Sequence, residues 1–294
     1  MRIGYLGPEG TFTHGAVRTL RPDDEHLATT TQGEAFDGLD EGRFDALVLP
    51  LDNSVHGPVL PTWDALLSSR DAVIVDDTQV AVTFDAFATD PSAEHRTIVS
   101  HPHALAQVSR FVQRLGLPVR TATSTAEACR SVAPDEIAVG APIAGEMYGL
   151  TRVESGIEDM AGAATQFGLI ARPGSEVVPR SSSTPTLRVL AVVPQDNVPG
   201  ALLGVIEPIH AQRLNLVNVV TKRVAQSDSE VVFLLFVDGV EDEGQGQALV
   251  EAVAGSGAVA VELGRLQGQV RHVRDVAREL PRRLRRGPAG AATA

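Results

Sequence analysis

The chain has 294 residues, 43% of them hydrophobic and 21% charged, which is globular composition with length enough for one or two cored domains. Lys and Arg number 25 against 37 Asp and Glu, a net charge of −12, which argues against a general nucleic-acid binder and requires any anionic ligand to be met by local groups. The one cysteine, Cys129, leaves no intrachain disulfide, no apolar run reaches the roughly 18 residues of a membrane helix, and the N-terminus opens on strand-like residues, so the sequence reads as a soluble cytoplasmic protein with no membrane partner.

Short β-rich runs alternate with helical patterns through the first two-thirds. Strands are expected at residues 2–6, 46–50, 72–76, 81–88, 97–100, 119–122, 136–139 and 167–171. Leu105, Val108, Val112 and Leu115 follow helical spacing. The alternation predicts an α/β fold with mostly parallel strands. The adjacent runs 72–76 and 81–88 interrupt it, where the chain crosses to a second lobe spanning about 78–165. Two lobes joined by two crossings leave a cleft, a usual place for a small-molecule site.

Residues 173–185, with three consecutive serines and several prolines, read as a linker closing a 1–175 region. Beyond it, strands are expected at 186–193, 215–220, 231–237 and 259–263, with helices at 199–212 and 245–254. That order, β-α-β-β-α-β within 186–268, is the ferredoxin-like arrangement. The arginine-rich stretch from Arg271 reads as a solvated helix face running into a disordered end, 269–294.

Four turns share one chemistry: Gly7-Pro8-Glu9-Gly10-Thr11-Phe12-Thr13, Asp52-Asn53-Ser54-Val55-His56-Gly57, Ser100-His101-Pro102-His103 and Ser124-Thr125-Ala126-Glu127. Each puts hydroxyl, amide or imidazole groups before an expected helix, where they serve as caps. Helix N-termini also bind anions. Several such turns around one cleft would hold a carboxylate ligand with few lysines or arginines.

These residues resemble the prephenate dehydratase family. The resemblance rests on Gly4-Tyr5-Leu6-Gly7-Pro8-Glu9-Gly10-Thr11-Phe12-Thr13, Pro50-Leu51-Asp52-Asn53-Ser54 with Gly57, Ser100-His101-Pro102, Ser124-Thr125-Ala126-Glu127-Ala128 and Tyr148-Gly149-Leu150. Pro199-Gly200-Ala201-Leu202-Leu203 and Asn215-Leu216 are similar to the family's ACT regulatory domain. The resemblance covers roughly 2–265. It implies a two-lobed catalytic region similar to periplasmic binding proteins, a ferredoxin-like ACT domain behind it, a homodimer, and the dianion prephenate as ligand; the sequence itself, with no metal-ligand cluster and no dinucleotide fingerprint, implies no cofactor or metal. Carried over by position, it implies substrate contacts from Thr11, Thr13, Asn53, Ser54, Ser124, Thr125, Gln166 and Phe167, and a catalytic role for Thr165.

The chain departs from the family at several positions. The Asn-x-x-Thr-Arg-Phe signature reads Gly162-Ala163-Ala164-Thr165-Gln166-Phe167, so an arginine has become Gln166. If that group faced the dianion, its loss would cost about 2–5 kcal/mol of charged contact. His14 and His56 stand where the family usually has acids, and either can exchange a proton near neutral pH. The Glu-Ser-Arg-Pro motif of the phenylalanine site corresponds to Val220-Thr221-Lys222-Arg223, so feedback by phenylalanine is not expected. Retained recognition with altered dehydration machinery matches the family's prephenate decarboxylase branch, which expels carbon dioxide, keeps the ring hydroxyl and yields a dihydro-4-hydroxyphenylpyruvate for specialised metabolism. His14 or His56 would supply or relay the ring proton, with the substrate's own hydroxyl as the alternative source. An ordinary dehydratase giving phenylpyruvate and a non-catalytic prephenate-binding protein are the alternatives.

Overall fold

The computed structural model describes residues 1–177, 187–196, 198–223 and 231–267; the basic stretch expected at 269–294 and most of the linker expected at 173–185 lie outside them. The first lobe opens with β1 (Arg2–Leu6), α1 (Phe12–Leu20), β2 (Glu25–Thr29), α2 (Gln32–Asp40), β3 (Ala46–Asn53), the stub β4 (Gly57–Pro58), α3 (Leu60–Ser68) and β5 (Val73–Ala81). The chain then builds a second lobe from β6 (Asp85–Ala88), β7 (Thr97–Ser100), α4 (Pro102–Gln107), α5 (Ser109–Leu115), β8 (Val119–Thr121), α6 (Thr125–Arg130), β9 (Glu136–Gly140), α7 (Pro142–Met147) and β10 (Thr151–Glu154). It returns to the first lobe as β11 (Ala164–Ala171).

In the first lobe β1 pairs in parallel with β2 and β3, and β11 runs antiparallel between β3 and β5. The second-lobe sheet has the order β10-β6-β9-β7-β8, with β7 parallel to β8 and β9. The apolar run of β3 and the wholly buried β9 are the composition of strands covered on both faces.

A third unit follows: β12 (Leu187–Pro194), α8 (Ala201–Ala211), β13 (Asn215–Arg223), β14 (Val231–Asp238), α9 (Glu243–Ala254) and β15 (Ala258–Leu266). Its strand order, β13-β14-β12-β15 with antiparallel neighbours, is ferredoxin-like. Its sheet continues into the first lobe through one register pair, Gly264 with Ile74. Gly264 has φ 141°, and a Cβ there would lie 2.3 Å from the Ile74 carbonyl oxygen, so the junction needs glycine.

The two faces of the first-lobe sheet bury different partners. On one, Ile3, Tyr5, Val48, Phe167 and Leu169 pack beneath α1. On the other, Leu49, Leu51, Ile74 and Ile170 pack with Trp63 of α3 and with Phe236 and Leu263 of the ferredoxin-like unit. Trp63 meets Phe236 edge to face at 5.4 Å, and Lys222 of β13 pairs with Asp64 of α3.

Several elements differ from the expected ones. The helical pattern at 105–115 breaks at Val108, because the Asp159 carboxylate accepts from the backbone N–H groups of Ser109 and Arg110 at 2.8 and 3.0 Å and starts a new helix. The expected strand 81–88 is interrupted: β5 continues to Ala81, paired with Ala164, and residues 82–84 form the crossing. Strands β2 and β10 were not expected; each is short and half polar, so its pattern is weak.

Candidate active site

The parallel strands of both lobes end where the lobes meet, which is where open α/β sheets place ligands. The loops after β1 and β2 and the loop after β8 surround a cavity of about 500 Å³, lined by Gly7, Pro8, Thr29, Thr30, Thr123 and Ser124 among others. Across the junction Tyr148 Oη donates to the Glu9 carbonyl at 2.9 Å, and Phe12 meets Phe84 edge to face at 5.6 Å. Gly10, with φ 82°, lets the backbone pass close to the Tyr148 ring.

Three of the expected turns cap helices. The Thr11 hydroxyl accepts from His14 N–H and donates to the Pro8 carbonyl, so both its functions are engaged in the turn. His101 Nδ1 accepts from His103 N–H, and the Ser124 hydroxyl accepts from Glu127 N–H at 2.9 Å. Thr125 opens α6, half-buried. The turn after β3 differs from the expectation of a helix following directly. There Asn53 Oδ1 accepts from the backbone N–H of Val55 and His56, both at 3.0 Å, and the chain pairs back as β4 before α3.

That turn is tied to β11. Asn53 Nδ2 donates to Thr165 Oγ1 at 2.9 Å, while Ser54 bonds Ala164 through both its backbone N–H and its hydroxyl. Asn53, Ser54 and Thr165 therefore meet where β11 returns from the second lobe. Thr165 is buried, with 8% of its surface exposed.

Gln166 lies away from the inter-lobe cavity. Alternation along β11 puts Thr165 and Phe167 on the α1 face and Gln166 on the opposite face. Gln166 Nε2 donates to Asp77 Oδ2 at 2.8 Å, and the backbone N–H of Gln267 donates to Asp77 Oδ1 at 2.6 Å. These residues line a second cavity of about 550 Å³, between the first lobe and the ferredoxin-like unit, which Asn53 and Ser54 also border. Burial pushes the Asp77 carboxyl up to about 6, aided by nearby Asp76 and opposed by the two hydrogen bonds. Among the described residues neither cavity is lined by lysine, arginine or histidine.

Phe167 is 2% exposed, in the core beneath α1. Thr13 is likewise buried, in the first turn of α1. The His14 ring turns inward, stacked on Tyr5 at 5.2 Å, and its Nδ1 accepts from Gly10 N–H at 3.1 Å. Burial lowers its pKa, so it is held neutral with the proton on Nε2. His56 is exposed beside the Asn53 turn.

A fifth turn, after β2, borders the inter-lobe cavity and was not among those expected. Thr31 caps α2, accepting from Glu34 N–H, and the Glu34 carboxylate accepts from the N–H and hydroxyl of Thr30. Thr31-x-x-Glu34 is a capping box visible in the sequence. Cys129 is buried and its thiol pushed up to about 12 by burial, so it offers no reactive thiolate. Among the described residues no cluster of three or more His, Cys, Asp or Glu could hold a metal ion, and no helix is long and apolar enough to cross a membrane.

Comparison with known proteins agrees with this architecture. The prephenate dehydratase family profile matches residues 3–175. A prephenate dehydratase of Amycolatopsis methanolica is 34% identical over 243 residues, covering 81% of this chain and 79% of its own. The crystal structure of prephenate dehydratase from Arthrobacter aurescens, in complex with L-Phe, superposes with a TM-score of 0.79 at 26% identity, covering 91% of this chain and 90% of its own. A structure described as GqqA, a novel type of quorum quenching acylase, superposes with a TM-score of 0.78 at 25% identity, covering 92% of this chain and 99% of its own. With the profile spanning more than half its length and a relative at this identity, the chain belongs to the prephenate dehydratase family.

Proposed function

We propose that this protein is a lyase acting on prephenate, which it receives between its two lobes. A dianion is disfavoured in the cavity beside the ferredoxin-like unit, where Asp52 and Asp77 lie. Two like charges about 4 Å apart cost roughly 1 kcal/mol in water and 4 at the dielectric of a protein surface. The inter-lobe cavity offers hydroxyls and the N-terminal regions of α1 and α2 instead, each helix dipole contributing about 0.3–1 kcal/mol to an anion nearby.

Within that reading, the chemistry of the cleft favours decarboxylation with the ring hydroxyl retained. The observation that carries this is the lining of the inter-lobe cavity, which lacks lysine, arginine and histidine among the described residues and whose one acid, Glu127, is paired with Arg130 at 2.7 Å. Breaking the bond to carbon dioxide requires removal of water from the carboxylate and a ring diene to take the electron pair. Expelling hydroxide needs, in addition, an acid or cation at the departing oxygen. The lining holds no acid for the ring carbanion either, so its proton is assigned to His56, exposed beside the Asn53 turn outside that lining, which reaches the substrate as the lobes close; His14, held neutral, is left as a hydrogen-bonding group. Thr165, beside the Asn53 turn and outside the lining of that cavity, is the hydroxyl that the family resemblance assigns to the reacting substrate once the lobes close, and Ser124 borders the cavity itself.

Dehydration to phenylpyruvate is the second reading. It is favoured by the names of the relatives and by their identity to this chain. The mass of the product formed from prephenate separates the two. Loss of carbon dioxide alone supports decarboxylation; loss of carbon dioxide with water establishes the dehydratase reading and overturns the first. Prephenate that binds without turnover contradicts both.

The ferredoxin-like unit is proposed to be an ACT-like dimerisation element that has lost phenylalanine feedback. Lys222, in the stretch that corresponds to the family's effector motif, is engaged with Asp64 of α3.

A further inference from the structure

We infer that Asn53 is a positioning residue that fixes the Thr165 hydroxyl as a hydrogen-bond donor to the substrate. The inference rests on the proposed prephenate lyase activity for its kinetic test, and on geometry alone for its second test. Amide orientation is ordinarily ambiguous, but here two backbone N–H groups, those of Val55 and His56, point at one atom of the Asn53 side chain. That atom must be the oxygen. The NH₂ group is thereby aimed at Thr165 Oγ1 at 2.9 Å. A hydroxyl that accepts from a locked donor has its own proton to give. Among the described residues no acceptor takes it, although Thr165 is buried. The hydroxyl is therefore free to donate to a molecule that reaches it. The turn after β3 thus sets the polarity of one hydroxyl on β11 rather than binding the ligand through the Asn53 amide.

The substitution Asn53→Asp reverses that polarity while keeping shape. One carboxylate oxygen still accepts from Val55 and His56, and the other now accepts the Thr165 proton, withdrawing it from the substrate. At pH 7.5 kcat on prephenate is expected to fall about 100-fold, the effect of losing one preorganised donor, with KM changed less than about threefold. As pH falls through the new carboxyl's titration, its protonated form can donate again, so the variant's activity should recover at acid pH along a limb that the unaltered protein lacks. A loss that does not depend on pH, or no loss, overturns the inference.

The second test needs no turnover. Carbon-13 titration of the introduced carboxyl should give a pKa lower in Asn53→Asp than in the double variant Asn53→Asp, Thr165→Val by about one unit, because the hydroxyl donates to the charged form. Equal values overturn the inference. If the unaltered protein does not consume prephenate but this shift is found, the proposed function fails while the contact that orients the Thr165 hydroxyl stands.

Discussion

Gln166 bonds Asp77 across the face of β11 that looks toward the ferredoxin-like unit, so the amide that replaces the family's arginine acts first on a carboxylate of its own chain. With burial raising Asp77 from 3.8 to about 6, the folded state holds its proton more tightly than the unfolded chain. The stability this contributes is complete below pH 4 and is lost as pH rises through about 6, a change of about 3 kcal/mol for a two-unit shift. Gln166→Arg supplies a counter-charge in a cavity with room for it. It should stabilise the protein by about 1–2 kcal/mol at pH 7.5 and leave it unchanged at pH 4, measured by urea unfolding. Equal effects at the two pH values would contradict the assigned contact. Strand alternation alone separates Thr165 from Gln166, so the sequence already held their opposite orientations. Which face the C-terminal unit covers depends on contacts between residues far apart in the chain, such as Asp77 with Gln267, 190 positions on, and no local pattern carries that.

Elements with a strong period were legible: β1, β3, β7, α8, β14 and α9 lie close to where the hydrophobic spacing puts them. The breaks were not. Asp159 divides α4 from α5 from fifty residues away, and the Asn53 turn, which reads as a helix cap, folds into β4 because its amide serves Val55, His56 and Thr165 at once. The single pair joining β15 to β5 was also invisible, since Gly264 reads as an ordinary interruption of a strand. Gly264→Ala forces a Cβ against the Ile74 backbone at a φ that side chains avoid, and should destabilise the protein by about 2 kcal/mol or more. An unchanged urea midpoint would show that the junction is not built as described.

Across the whole molecule, the first lobe and the ferredoxin-like unit share one sheet and a packed seam, while the second lobe is joined to the first by two crossings and a small set of contacts including Tyr148 with Glu9. Closure around a ligand is accordingly a movement of the second lobe. On the proposed loss of phenylalanine feedback, L-phenylalanine should leave activity on prephenate unchanged at millimolar concentration; inhibition would show that the C-terminal unit still binds an effector. The same architecture extends to a structure described as a quorum-quenching acylase, so the fold does not choose the reaction. The fate of the ring oxygen does. Prephenate carrying heavy oxygen in its ring hydroxyl should give a product that retains the label as carbon dioxide is released; label appearing in water, with an aromatic product, would contradict the proposed chemistry.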